Sequence, residues 1–126
     1  MKIEHIAIWV KDLEKMKSFY ETYFQATSND IYHNPTKGFH SYFLSFDSGC
    51  RLEIMHKAPI SDAQIPTSLG ITHFAVSVGN KATVDQLTET IRAAGYKVVG
   101  EPRTTGDGYY ESVILDPENN RIEISN

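Results

Sequence analysis

Apolar residues along the chain fall into short alternating runs and two stretches of helical spacing, and the series of elements they predict occurs twice. A strand is expected at about 2–10, followed by Asp12 as the N-cap of a helix from about 13 to 25. Leu13, Met16, Phe19, Tyr20 and Tyr23 recur there at the spacing of one helix face. Strands at about 28–33, 40–46 and 50–57 complete the first series. The second opens with a strand at 71–78, continues with Asn80 as N-cap of a helix over 81–94, and stops that helix at Gly95. Strands at 97–101, 109–115 and 121–125 follow. The stretch 58–70, with Pro59 and Pro66, reads as a linker.

The two series are repeats of one another. HIAIWV at 5–10 returns as HFAVSV at 73–78, and the same shift carries Asp12 onto Asn80, Met16 onto Val84, Phe19 onto Leu87 and Tyr23 onto Ile91. RLEI at 51–54 returns as RIEI at 121–124, and Asp47 and Asp116 open the turns before those last strands. The second turn, Asp116-Pro117-Glu118-Asn119-Asn120, has strong turn chemistry. The expected fold class is α+β: two tandem βαβββ modules, about 1–57 and 71–126, forming a single domain over 1–126 with curved mixed sheets, each backed by its helix.

Composition narrows the partners. The chain has 126 residues, 40% hydrophobic and 22% charged, which is ordinary globular usage and argues against disorder. Twelve Lys and Arg against 16 Asp and Glu give a net charge of −4, so no electrostatic footprint for nucleic acid exists. No stretch approaches the roughly 18 apolar residues of a membrane span, and the N-terminus does not read as a signal peptide. A cytoplasmic protein without membrane or nucleic-acid partners is expected. The lone Cys50 excludes an intrachain disulfide or thiolate cluster and reads as a buried or half-exposed spare thiol.

Candidate chemistry comes from strand alternation. His5 shares a face with Ile3, Ala7 and Trp9, and His73 with Ile71, Ala75 and Ser77. Glu53 shares one with Arg51 and Met55, and Glu123 with Arg121 and Ser125. Leu52, Ile54, Ile122 and Ile124 point the other way, with Ile6, Ile8, Phe74 and Val76, toward the helices. Singly, a strand His is usually hydrogen-bonded or exposed, and a Glu between isoleucines is usually on a solvated face. Jointly, each module delivers one imidazole and one carboxylate from equivalent strands to a concave face. Modules paired by a pseudo-two-fold would gather an N2O2 set for one divalent ion with open positions, which suits nickel, cobalt or zinc. Duplication alone also preserves such a pattern.

HIAIWVKDLEKMKSFYE, RLEI, ITHFAVSV and ILDPENNRIEIS together make the chain resemble the vicinal oxygen chelate superfamily of glyoxalases, bleomycin-resistance proteins and extradiol dioxygenases over essentially its whole length. The resemblance is strongest to the glyoxalase I-like branch, whose His, Glu, His, Glu metal set falls on His5, Glu53, His73 and Glu123. Glu53 is the discriminating residue: the epimerase branch usually has Gln there, and the fosfomycin-modifying and dioxygenase branches use two His and one Glu. Where glyoxalase I proteins commonly hold glutathione with an Arg and an Asn, this chain has Trp9 and Lys57. The resemblance thus implies the metal chemistry with a different thiol carrier or none.

The function implied is a metal-dependent lyase or isomerase acting on a small α-hydroxycarbonyl, such as a methylglyoxal–thiol hemithioacetal, and serving methylglyoxal detoxification. Glu123 would be the catalytic base and Glu53 a second proton shuttle, with Trp9, Lys57, Arg103 and Arg121 as substrate-binding candidates. The other histidines, His33, His40 and His56, are expected to face solvent. Gly106-Asp107-Gly108 reads as a loop, since no strand-then-helix context makes it a phosphate cradle. The rivals are a thiol transferase or dioxygenase on the same scaffold, or a non-catalytic binder of small molecules conferring drug resistance. Relatives often form homodimers, so the ligand set is either within one chain or shared between two.

Overall fold

The computed structural model of the chain describes residues 3–47, 49–60, 70–106 and 108–126. Most of the expected linker, the turn residue Ser48 and Asp107 of the glycine-flanked loop lie outside the described residues. Contacts divide the chain into two compact units, Met1–Ala63 and Gln64–Asn126. Both are α+β, one helix against one mixed sheet.

The first unit runs β1 (His5–Trp9), α1 (Leu13–Phe24), β2 (Thr27–Ser28), β3 (Tyr32–Asn34), a 3-10 turn (Pro35–Lys37), β4 (Phe39–Ser45) and β5 (Arg51–Lys57). Its sheet has the order β1-β5-β4-β2, with β3 also on β4. β1 lies parallel to β5, pairing His5 with Arg51 and Ala7 with Glu53, while β4 is antiparallel to β5 and sets Phe43 opposite Glu53. The second unit runs β6 (Phe74–Ser77), α2 (Lys81–Ala93), β7 (Val98–Thr104), β8 (Tyr110–Leu115) and β9 (Arg121–Ser125), in sheet order β6-β9-β8-β7. β6 is again parallel to β9, with Ala75 beside Glu123.

Local chemistry explains the helix ends. Asp12 accepts from the Lys15 N–H and Asn80 from the Thr83 N–H, each at 3.0 Å, so both expected N-caps form. Gly95 follows α2 with φ +90°, and α1 ends on Gln25 in the left-handed region without a glycine. Met16, Phe19, Tyr20 and Phe24 bury the inner face of α1, and Val84, Thr88 and Ile91 that of α2. Leu52 and Ile54 on β5 and Ile122 and Ile124 on β9 are buried, so the alternation read from the sequence holds on both strands that carry a glutamate. In the second unit, the Thr88 and Ser112 hydroxyls satisfy each other at 2.6 Å inside the core.

Several expectations need correction. The strand at 28–33 is two short strands; between them Asn29 meets Phe43 through its backbone N–H, which donates to the Phe43 carbonyl, and through its side-chain oxygen, which replaces the backbone carbonyl as acceptor of the Phe43 N–H. The strand at 97–101 extends to Thr104, with register shifts against β8 around Gly100. A Cβ at Gly100 would stand 2.9 Å from the Val113 side chain, a close approach that only glycine allows without a shift. β1 and β6 are shorter than expected, and His73 sits just ahead of β6. Cys50 is exposed, since it lies in the turn before β5 rather than within the strand.

Tyr42 on β4 ties the first sheet to α1: its hydroxyl donates to the Glu14 carboxylate at 2.6 Å. That hydrogen bond, with burial, pushes the phenol up to about 12. The fold favours the neutral phenol, so the contribution is fully present below pH 10 or so and is lost as pH rises toward 12. Tyr42→Phe is expected to cost about 1.5 kcal/mol at pH 8, a gap that shrinks above pH 10. Urea midpoints of both proteins across that range check it, and a gap independent of pH would overturn the assignment.

Candidate metal centre

Each unit places a histidine at the start of its first strand, or just ahead of it, beside a glutamate of its last strand. His5 opens β1 and Glu53 is at the middle of β5, and their Nε2 and Oε2 atoms are 4.0 Å apart. In the second unit His73 and Glu123 approach more closely, at 3.2 Å. Both imidazoles are 40% exposed, whereas the carboxylates are 14% (Glu53) and 21% (Glu123) exposed, so each glutamate is the deeper member of its pair. The depth follows from the flanking residues: the neighbours of Glu53 and Glu123 along the strand are core side chains, which pin the backbone and fix where each carboxylate emerges.

These pairs suit a divalent cation. Two donors each about 2.1 Å from an ion stand roughly 3.0–3.4 Å apart at right or tetrahedral angles. His73 and Glu123 already fall in that range, and His5 and Glu53 reach it with a small side-chain adjustment. Both donor types are oxygen and imidazole nitrogen, the mix expected for nickel, cobalt or zinc. Among the described residues no group of three or more His, Cys, Asp or Glu side chains is gathered for a metal ion. Each unit thus carries one His–Glu pair, a candidate half-site.

Among the described residues, the first half-site has neighbours that the second lacks. The His5 Nδ1–H donates to Glu4 at 2.6 Å, and the other Glu4 oxygen accepts from Arg51 Nε at 2.7 Å. The hydrogen bond from His5, with Arg51 beside it, holds the Glu4 carboxyl below the usual carboxylate range despite some desolvation. Arg51 stacks its guanidinium 4.0 Å from the centre of the Phe43 ring, and Phe43 meets the His5 ring edge-on at 5.3 Å. Sequence reasoning overlooked Glu4, whose link to Arg51 depends on the parallel pairing of β1 with β5.

Of the substrate-binding candidates, Trp9 and Lys57 come together. Trp9 on β1 and Lys57 at the end of β5 line a cavity of about 450 Å³ with Ala58, Pro59 and Ile60. Phe39, the register partner of Lys57, braces Trp9 edge-on at 6.1 Å. Strand alternation puts Trp9 on the side of His5 and Lys57 on the side of Glu53. Arg103 has its guanidinium near the Glu111 carboxylate, 3.4 Å away, while Arg121 is exposed at the start of β9. The three remaining histidines are not all solvent-facing. His33, His40 and His56 are register partners across β3, β4 and β5; His33 and His40 stack at 4.2 Å, and half-buried His56 donates from Nδ1 to the Val10 carbonyl. The Val10 carbonyl, left over where β1 ends, is what draws His56 inward.

Comparison with known proteins gives a consistent picture. A protein of Bacillus subtilis (strain 168) described as uncharacterized protein YqjT is 27% identical over 128 residues, covering 97% of this chain and 96% of its own. Glyoxalase I from Zea mays superposes with a TM-score of 0.81 at 23% identity, over 98% of this chain and 44% of the maize chain, so this chain spans less than half of that enzyme. The trypanothione-dependent glyoxalase I of Leishmania major superposes with a TM-score of 0.80 at 20% identity, over 100% of this chain and 86% of that one. At such identities the structural likeness speaks for the fold. No helix among the described residues is long and apolar enough to cross a membrane. The family model of the Glyoxalase/Bleomycin resistance protein/Dioxygenase superfamily matches residues 2–124, and the chain, with its twice-written βαβββ pattern, belongs to that superfamily.

Proposed function

We propose that the chain is a metal-dependent lyase or isomerase of the glyoxalase I type, acting on a small α-hydroxycarbonyl such as a methylglyoxal–thiol hemithioacetal. The observation that carries the reading is the duplicated pairing of an imidazole Nε2 with a carboxylate Oε2, at 4.0 Å and 3.2 Å, in two units of one superfamily fold. His5, Glu53, His73 and Glu123 form the ligand set for one divalent ion, contributed by one chain or shared between the two chains of a homodimer. When bound, such an ion polarises the adjacent oxygens of the substrate as a Lewis acid.

The protein's own groups move the proton. Glu123 takes it from the carbon bearing the hydroxyl and returns it to the neighbouring carbonyl carbon, while the hydroxyl proton passes to the former carbonyl oxygen, so the reaction is an isomerisation with no net gain or loss of atoms. Glu53 serves substrates whose proton lies on the opposite face. His5 and His73 stay in place as neutral nitrogen donors. The cavity beside Trp9 and Lys57 receives the remote part of the substrate: its described walls are mostly apolar, and the Lys57 ammonium suits an anionic end. With Trp9 and Lys57 in the places where glyoxalase I proteins commonly hold glutathione with an Arg and an Asn, the thiol carrier is a different one or absent.

Elemental analysis and titration with nickel, cobalt and zinc test the reading. One ion per His-Glu-His-Glu set is expected for the purified protein, and Glu53→Ala is expected to lose it. No stoichiometric metal under any loading condition would exclude the enzyme and leave a binding protein.

A further inference from the structure

The two half-sites share their ligands but differ in what stands behind them. The repeat carries His5 onto His73, Arg51 onto Arg121 and Phe43 onto Val113, but it carries Glu4 onto Thr72. Among the described residues, only the first half-site thus places a carboxylate against the outer nitrogen of its histidine. Four side chains close a ring there: Glu4 bonds His5, His5 meets the edge of Phe43, Phe43 lies under Arg51, and Arg51 returns to Glu4. The backbone reinforces it, since the Arg51 N–H donates to the Glu4 carbonyl at 3.0 Å and continues the β1–β5 ladder one residue beyond His5. One oxygen of Glu4 thus faces His5 and the other faces Arg51.

We infer that Glu4 is a positioning residue, which holds the His5 imidazole with its proton on Nδ1 and presents Nε2 as an unprotonated donor on the Glu53 side. The chemistry is that of a neutral imidazole: one nitrogen carries the proton and the other the lone pair, and a carboxylate bonded to Nδ1 decides which. The same contact fixes ring rotation and raises donor strength. His73 has no such carboxylate among the described residues, so the two histidines are unequal ligands and His5 is the prearranged one. Ligation by His5 rests on the functional reading above, whereas the orientation of the ring does not.

The test separates the two. In metal-free protein with 15N-labelled histidine, ring-nitrogen shifts are expected to show His5 with its proton on Nδ1, and Glu4→Ala is expected to redistribute that proton toward Nε2. For metal binding, a competing chelator read with zinc or cobalt should show Glu4→Ala weakened about 10- to 100-fold. Glu4→Gln, whose amide oxygen still accepts from Nδ1–H, should recover most of that loss. Arg51→Gln leaves Glu4 in place as an acceptor and should lose much less. Equal losses in Arg51→Gln and Glu4→Ala would mean that the ion pair merely braces the strands, and would overturn the inference. So would an unchanged His5 tautomer in Glu4→Ala. If the wild-type protein takes up no metal, the functional reading fails and the tautomer measurement alone decides the role of Glu4.

Discussion

Glu123→Gln is expected to lower kcat for hemithioacetal isomerisation by about 10²- to 10⁴-fold, the usual contribution of a positioned general base, while metal uptake stays close to wild type. The amide keeps the size of the side chain and an oxygen facing His73, but it accepts no proton at neutral pH. The resemblance assigns it the role of proton carrier; it is slightly more exposed than Glu53, and its Oε2 lies 3.2 Å from the His73 Nε2. Its backbone is held between the buried Ile122 and Ile124, so a change of side-chain chemistry need not disturb the strand. A full kinetic comparison with several thiols, run beside metal stoichiometry, separates loss of the base from loss of the site. Full activity in Glu123→Gln would exclude Glu123 as the base, and loss of the metal together with activity would make it a ligand alone. Glu53→Gln should lose turnover selectively, for the substrate hand whose proton faces it.

How far the sequence disclosed this site can be followed residue by residue. The places of Glu53 and Glu123 on the strands were legible because a carboxylate between branched aliphatic residues in two copies of one strand has no propensity reason to be there, and alternation then gave its face. Both N-caps were legible because Asp12 and Asn80 accept from the third residue on, a purely local interaction. Glu4 was not legible, since alternation sends residues 4 and 5 to opposite faces and only the parallel pairing of His5 with Arg51 brings the guanidinium that draws the carboxylate back. The inward turn of His56 was hidden for the same kind of reason: its partner is the carbonyl of Val10, far off in sequence. The joint use of Trp9 and Lys57 as cavity walls likewise depends on strand register, which spacing within one strand does not fix.

Truncating the isoleucines beside the two glutamates is expected to have the largest effect on stability, and an unequal one. Ile54→Ala should cost about 4 kcal/mol and Ile124→Ala about 3 kcal/mol, within the usual range for a buried isoleucine. Both side chains are fully buried. Their cross-strand partners differ: Ile54 sits between Ile8 and Tyr42, whereas Ile124 sits between Val76 and Ser112. A void at Ile54 is bounded by apolar groups and an aromatic ring already committed to Glu14, so nothing there welcomes water. A void at Ile124 borders the paired hydroxyls of Ser112 and Thr88, which offer the polar partners that an entering water needs. Denaturant unfolding of the two variants, with Ile54→Val and Ile124→Val as controls near 1 kcal/mol, reads the difference. A second consequence reaches the site, because the same strands fix the emergence of Glu53 and Glu123: Ile54→Ala should loosen metal binding more than Ile124→Ala does. Equal costs at the two positions, or a costlier Ile124→Ala, would mean that the hydroxyl pair gives the second core no such relief.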